Sequence, residues 1–142
     1  MPPKSDNDPK VVARWIPEEE EALVNFLHQH RAEASDGTGN FKLQTYNQLA
    51  ATIAPYRKSG TAAKTTLQCK NKWKALRHVY SEIERYRNTS GFHWDSVGGA
   101  GIVGSDAQRV WEGYTQIHKV LRPYRNEGWP LYDLMQEIMP NG

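Results

Sequence analysis

The chain has 142 residues with a formal net charge of +2, and its 38% hydrophobic content includes five Trp and seven Tyr. That length holds one domain, or one with a modest extension, and the aromatic side chains concentrate burial into a few large groups, as suits a small helical core. No run approaches the roughly eighteen apolar residues of a membrane span, the Met-Pro-Pro-Lys-Ser-Asp start lacks an apolar leader, and a lone Cys69 supports neither an intrachain disulfide nor a cysteine metal cluster. A soluble, non-secreted chain with no membrane partner is expected.

Residues 1–13 carry three Pro and scattered charges and read as a disordered lead-in, ahead of a domain over 14–140. Pro17 and the acidic run Glu18–Glu21 mark the start of a first helix, the carboxylates serving as dipole complement and solvated face. Leu23, Phe26, Leu27 and His30 continue one face to about Ala34. Ser35–Asn40 is a loop by composition. Thr45-x-x-Gln48 has the form of a capping box, and Tyr46, Leu49, Ala50 and Ile53 carry the apolar face of a second helix as far as Pro55. Arg57–Ala63 is a connector.

Thr65–Arg87 is the longest periodic stretch. Cys69, Trp73, Leu76, Tyr80 and Ile83 follow at steps of four, three, four and three and line one face of a third helix. Thr65 with Gln68 forms another capping box, and Ser90-Gly91 supplies a stop. From Lys64 to Arg87 there are seven Lys/Arg against two Glu, a balance of +5, so the rest of the chain sums to −3. Such a helix is either a core helix with a solvated basic back or one whose polar face enters a DNA groove. The basic residues gather toward its N-terminal half around Asn71, whose amide can pair bidentately with adenine. Three helices, the third longest and most basic, give the outline of an all-α helix-turn-helix domain.

Beyond Gly91, Gly99-x-Gly101-x-x-Gly104 matches a dinucleotide fingerprint in its letters but lacks the preceding strand and βαβ context, and a flexible loop over 91–104, tolerant of shortening, is expected. Ser105-x-x-Gln108 is a third capping box, opening a helix with Val110, Trp111, Tyr114 and Ile117 on its apolar side. After Arg122–Arg125, Pro130 starts a last helix with Leu131, Leu134, Met135 and Ile138 inward. Trp111 and Trp129 read as packing residues. His28 and His30 are two apart and face different ways on a helix, and His93 near Asp95 has no nucleophile beside it. No enzyme, metal, cofactor or small-molecule substrate is therefore expected.

Several of these stretches together resemble the Myb/SANT-like DNA-binding domain: Trp15 with its acidic run, Cys69-x-Asn71-Lys72-Trp73-x-x-Leu76, Ser90-Gly91-Phe92-x-Trp94-Asp95, Trp111-x-x-Tyr114, and Tyr124-Arg125-Asn126-x-Gly128-x-Pro130. The plant and fungal version, some of it linked to transposons, is the nearest in form, over about Arg14 to Pro140. The resemblance implies a three-helix Myb core (14–90) with Trp15 and Trp73 as core tryptophans, and two additional C-terminal helices (105–140). It implies base contacts from Lys70, Asn71, Lys74 and Ala75, the positions flanking the tryptophan of the third helix, and a nuclear, transcription-regulating or transposon-derived role. Lys64, Lys72, Arg77, Arg57 and Lys58 are the candidates for phosphates. Phe26, Leu49, Ile53, Cys69, Leu76, Tyr80, Ile83 and Trp111 complete the expected core. Ile16 departs from the Thr or Ser N-cap of many relatives, and Lys119 from a Pro. Double-stranded DNA is the implied partner, with a homodimer or a second DNA-binding subunit to add affinity. The alternative is a SANT-like module whose acidic first helix engages a basic, histone-tail-like protein.

Overall fold

The structure, a computed structural model, describes residues 13–34, 38–89 and 91–139, so all but the last residue of the expected lead-in lies outside it, as do the helix stop at Ser90 and part of the Ser35–Asn40 loop. The fold is all-α: α1 (Pro17–Gln29), α2 (Leu43–Ile53), α3 (Thr66–Arg87), α4 (Ser105–Ile117) and α5 (Tyr132–Ile138), with 3-10 turns at Arg31–Glu33, Ala54–Tyr56 and Lys119–Tyr124. The backbone groups into two compact units, one running to Lys74 and taking up the chain again from Glu137, the other comprising Ala75–Gln136. The boundary falls within α3, so the expected 14–90 core is divided along that helix.

The first unit is a three-helix cluster. Leu23, Val24, Phe26 and Leu27 of α1, Tyr46, Leu49 and Ile53 of α2, and Cys69 and Trp73 of α3 are all buried, as the i, i+3, i+4 spacing requires. Trp73 is wholly buried, its indole N–H donates to the Gly39 carbonyl at 2.7 Å, and the Phe41 ring meets it edge-on at 6.0 Å. Burial pushes the Cys69 thiol up to about 12, outweighing the nearby Lys64 charge that pulls the other way. Trp15 departs from expectation. It is half-buried, with the ammonium groups of Lys64 and Lys72 lying 5.1 and 5.7 Å from its ring centroid.

The acidic run is not simply a solvated face. Glu19 is 1% exposed and uses both oxygens: Oε1 accepts the Ile16 backbone N–H at 3.2 Å, and Oε2 accepts Lys64 Nζ at 2.8 Å. Ile16 thus supplies no side-chain cap to α1, but the reciprocal half of a capping box is made by Glu19. Glu20 pairs with Lys72 at 2.9 Å. Glu18 and Glu21 are exposed, as a dipole-complementing face requires.

Of the three expected capping boxes, one forms. The Gln68 N–H donates to Thr65 Oγ1 at 3.1 Å, and the Thr65 N–H to Gln68 Oε1 at 2.9 Å. Helix α2 instead begins two residues before Thr45, which is buried and donates its hydroxyl to Glu33 at 2.9 Å. Ser105 is the first residue of α4 rather than its cap, and Gln108 bonds Glu112 and Arg125. An S/T-x-x-Q spacing closes into a capping box only where no other partner claims the hydroxyl or amide.

In the second unit, Leu76, Tyr80, Ile83 and Tyr86 continue the inner face of α3. Tyr86 stacks on Phe92 at 4.7 Å and meets Trp111 and Tyr114 edge-on at 5.5 and 5.3 Å. Buried Glu82 accepts from His118 Nδ1 at 2.7 Å, joining α3 to the end of α4. Arg87 donates to Glu84 at 3.1 Å and to the Tyr132 hydroxyl, which itself donates to Glu84. The inward side of α4 is Trp111, Tyr114 and Thr115, whereas Val110 and Ile117 are 53% and 83% exposed and do not belong to the core. They lie seven residues apart, on the flank of a stripe too narrow to reach them.

The glycine-rich segment is a built part of this unit, not the freely shortened loop expected from composition. Asp95 and Gly99 exchange two backbone hydrogen bonds of 3.0 Å, the Ala100 N–H donates to the Tyr124 carbonyl at 2.9 Å, and the Gly128 N–H to Val97 at 3.0 Å. Asp95 also accepts from the amides of Gly98 and Val97 and from His93, which together hold its carboxyl below the usual range. Gly99 has φ of +63°, and a Cβ there would collide with the carbonyl oxygens of Tyr124 and Glu127. A Cβ at Gly128 would strike Ser96.

Three outcomes are expected from this packing. Gly99→Ala should cost about 2–4 kcal/mol of stability by denaturant titration, from strain and overpacking together, while Gly113→Ala, in open space on α4, should add about 1 kcal/mol. Lys64→Ala should cost about 3–5 kcal/mol, because it leaves the buried Glu19 carboxylate unpaired. At pH 8 the Cys69 thiol, with a pKa of about 12, is about one part in ten thousand thiolate. Its reaction with an aromatic disulfide should therefore be as slow as unfolding allows and should accelerate in denaturant.

Candidate nucleic-acid interface

Successive residues of an α-helix are rotated by about 100°, so α3 has an outer face set by its buried one. With Cys69 and Trp73 turned inward, Leu67, Lys70, Asn71 and Lys74 fall together on the opposite side of its first three turns, and all four are exposed. Ala75 and His78, also exposed, continue the same stripe of the helix where the chain enters the second unit. The capping box at Thr65 and Gln68 fixes the start of the helix, and Thr66 Oγ1 donates to Asn47 Oδ1 of α2 at 2.9 Å. The N-terminal turn, the part that reaches base edges in helix-turn-helix docking, is therefore held from both sides.

The electrostatics of this face differ from the sequence-level charge balance. Lys64 was a candidate for a phosphate; it is 9% exposed and its ammonium is spent on Glu19. Lys72 is half-buried, bound to Glu20 and lying over Trp15. Neither points at solvent as a free cation. By contrast, among the described residues Lys70 and Lys74 have no acid within ion-pair distance, and they flank Asn71 on the exposed face.

The remaining candidates are scattered. Lys58 is exposed on the connector before α3. Arg57 is exposed too, but its guanidinium donates to the carbonyls of Ala54 at 2.7 Å and Thr61 at 2.9 Å, so it first serves to close its own turn. Arg77 is half-buried in the second unit. Leu67 is the member of the outer face that its sequence did not reveal: 65% exposed, it stands three residues before Lys70 and four before Asn71. Helical spacing alone places it there, but an apolar residue in a basic helix reads as a core position until the burial is known.

Among the described residues no group of three or more His, Cys, Asp or Glu is arranged to hold a metal ion. His28 is hydrogen-bonded to Glu137, and His30 stacks on Phe26 at 4.0 Å while bonding the Phe26 carbonyl, so the two histidines do face apart. His93 and Asp95, 2.7 Å apart, belong to the turn that organises the glycine-rich segment. No described helix is long and apolar enough to cross a membrane.

The family described as the Myb/SANT-like DNA-binding domain matches residues 14–114, from just before α1 into α4, which leaves the Tyr124–Pro130 stretch outside the matched region. No curated protein and no solved structure matches the chain. With a three-helix arrangement whose third helix turns a basic, exposed face outward, and with the match covering most of its length, the chain belongs to the Myb/SANT-like DNA-binding domain family.

Proposed function

We propose that the protein binds double-stranded DNA sequence-specifically, with the outer face of α3 in the major groove. The observation that carries this reading is the sorting of charge along α3. Lys64 and Lys72 are neutralised by acids of α1, whereas Lys70 and Lys74, on either side of Asn71, have no acid within ion-pair distance among the described residues. In this reading Asn71 pairs with an adenine edge, Lys70 and Lys74 reach guanine acceptors or nearby phosphates, and Ala75 meets a thymine methyl. Lys58, Arg57 and Arg77 contact phosphates, fixing register without reading sequence. A single module buries modest surface on DNA, so a homodimer or a second DNA-binding subunit would supply the rest of the affinity. The reading places the protein in the nucleus, as a transcription regulator or as the DNA-binding module of a transposon-derived protein. The alternative, an acidic α1 that docks a basic protein, has less support because Glu19 and Glu20 are turned onto lysines of the same chain.

Selection of bound duplexes from a random pool, followed by titration of the enriched site, tests the proposal. Asn71→Ala should leave helical circular dichroism and melting temperature unchanged, yet cost about 1–3 kcal/mol at the selected site and relax preference at one base pair. Trp73→Ala should cost about 3–5 kcal/mol of fold stability and lose binding only with the fold. With Arg57, Lys58, Lys70, Lys74 and Arg77 near phosphates, the slope of log affinity against log salt should be about −4.5, so that a fourfold rise in salt weakens binding roughly 500-fold. A salt-independent affinity, or Asn71→Ala with unchanged specificity, would sink the assignment of this face.

A further inference from the structure

We infer that Leu67 is a specificity residue that reads the C5-methyl group of a thymine, one to two base pairs from the adenine assigned to Asn71. The inference rests on the DNA-binding reading of α3 and goes beyond it by naming an apolar base feature and the side chain that recognises it.

Leu67 is the second residue of α3 and is 65% exposed, although Trp73 and Cys69 of the same helix are wholly buried. An exposed leucine alone says little, since folded proteins leave much apolar surface in water. Its position says more. Leu67 lies on the stripe of Lys70, Asn71 and Lys74, at the N-terminal end that enters a groove most deeply. Four residues of helix span about 6 Å, close to the rise of two stacked base pairs. A side chain there, with Asn71 on an adenine, faces the next base or the one after it.

Leucine has no hydrogen-bonding group, so of the features on the major-groove floor only the thymine methyl offers it a favourable contact. Any other base would leave its polar edge desolvated against a hydrocarbon. The backbone beneath Leu67 is also fixed. Its preceding residue is bonded to Asn47 of α2 and its following residue closes the capping box, so the side chain is presented from a formed turn. Leu43, equally exposed at 67% but on α2, is outside this stripe and serves as the internal control.

The experiment replaces each thymine of the selected duplex, one at a time, by deoxyuridine, which removes the methyl and changes no hydrogen bond. Affinities are then measured for the unaltered protein, Leu67→Ala and Leu43→Ala, with melting temperatures alongside. Removing one methyl from an apolar contact should weaken the unaltered protein about fourfold at the thymine that Leu67 faces, separate from the thymine assigned to Ala75. Leu67→Ala, which keeps a strong helix former at an exposed position, should melt as before and bind the thymine and uracil duplexes equally at that position. Leu43→Ala should keep the fourfold difference. The assignment is overturned if no thymine shows a methyl effect that Leu67→Ala removes, including the case in which the effect is confined to the thymine of Ala75. It is also overturned if Leu67→Ala unfolds the domain, since the side chain would then belong to the core. A pool that yields no enriched sequence overturns the sequence-reading role of α3 first, and this assignment with it. A selected site that responds to Asn71→Ala but not to methyl removal overturns this assignment, and the thymine contact of Ala75 with it, while the reading of Asn71 stands.

Discussion

The first unit depends on one buried carboxylate. Glu19 ties the start of α1 to the start of α3: one oxygen takes the Ile16 N–H and the other takes Lys64, the residue just ahead of the α3 capping box. A carboxylate and an ammonium brought out of water are costly apart and tolerable together, so the pair is better understood as a constraint than as a large source of stability. It allows one register of α1 against the entry to α3. The half-buried Trp15 offers its ring to both lysines held by α1, with the ammonium groups of Lys64 and Lys72 lying 5.1 and 5.7 Å from its centroid.

That constraint decides which charges remain for a polyanion. Counting along the sequence, α3 and its entry carry an excess of five positive charges, but two of the lysines in that count are held by acids from α1. What remains outward is narrower and better placed: Lys70 and Lys74 bracket Asn71, with Leu67 at the leading end. A broad basic face would bind any duplex through its phosphates. A narrow one, with an amide between two cations and a hydrocarbon at its leading end, would on the proposed reading have the means to distinguish one base edge from another. On the proposed reading, internal neutralisation of Lys64 and Lys72 would favour specificity over non-specific affinity.

Much of this was legible in the sequence, because helical period is a strong signal. The buried faces of α1, α2 and α3 follow from the spacing of Leu23, Leu27, Leu49, Ile53, Cys69, Trp73 and Tyr80, and the exposure of Asn71 follows from the burial of Trp73 two residues on. What was not legible depended on pairing at long sequence separation. Lys64 and Glu19 are forty-five residues apart, and nothing local tells a buried lysine from a solvated one. Thr45 was drawn to Glu33 and Gln108 to Arg125, each by a partner that its own helix does not contain. The glycine segment misled for the same reason. Its glycines are there not for freedom but because Tyr124, Glu127 and Ser96 leave no room for a Cβ.

The length of α3 bears on how such a face could work. Its 22 residues make a rod of about 33 Å, whose first turns carry the outward stripe and whose later turns are fixed by Glu82 on His118 and by Tyr86 among Phe92, Trp111 and Tyr114. A short recognition helix frays at its ends, and ordering it on DNA would cost about 1–2 kcal/mol per residue. Here the N-terminal turn is closed by side-chain caps and the C-terminal turns are packed among aromatic rings, so the cost of forming the helix is met in folding and not in binding. Discrimination between bases requires groups held to within about 0.5 Å of their productive positions. On the proposed reading, an N-terminal turn closed by the Thr65–Gln68 caps, with Trp73 as an anchor two residues from Asn71, would supply that precision where an exposed loop carrying the same side chains would not.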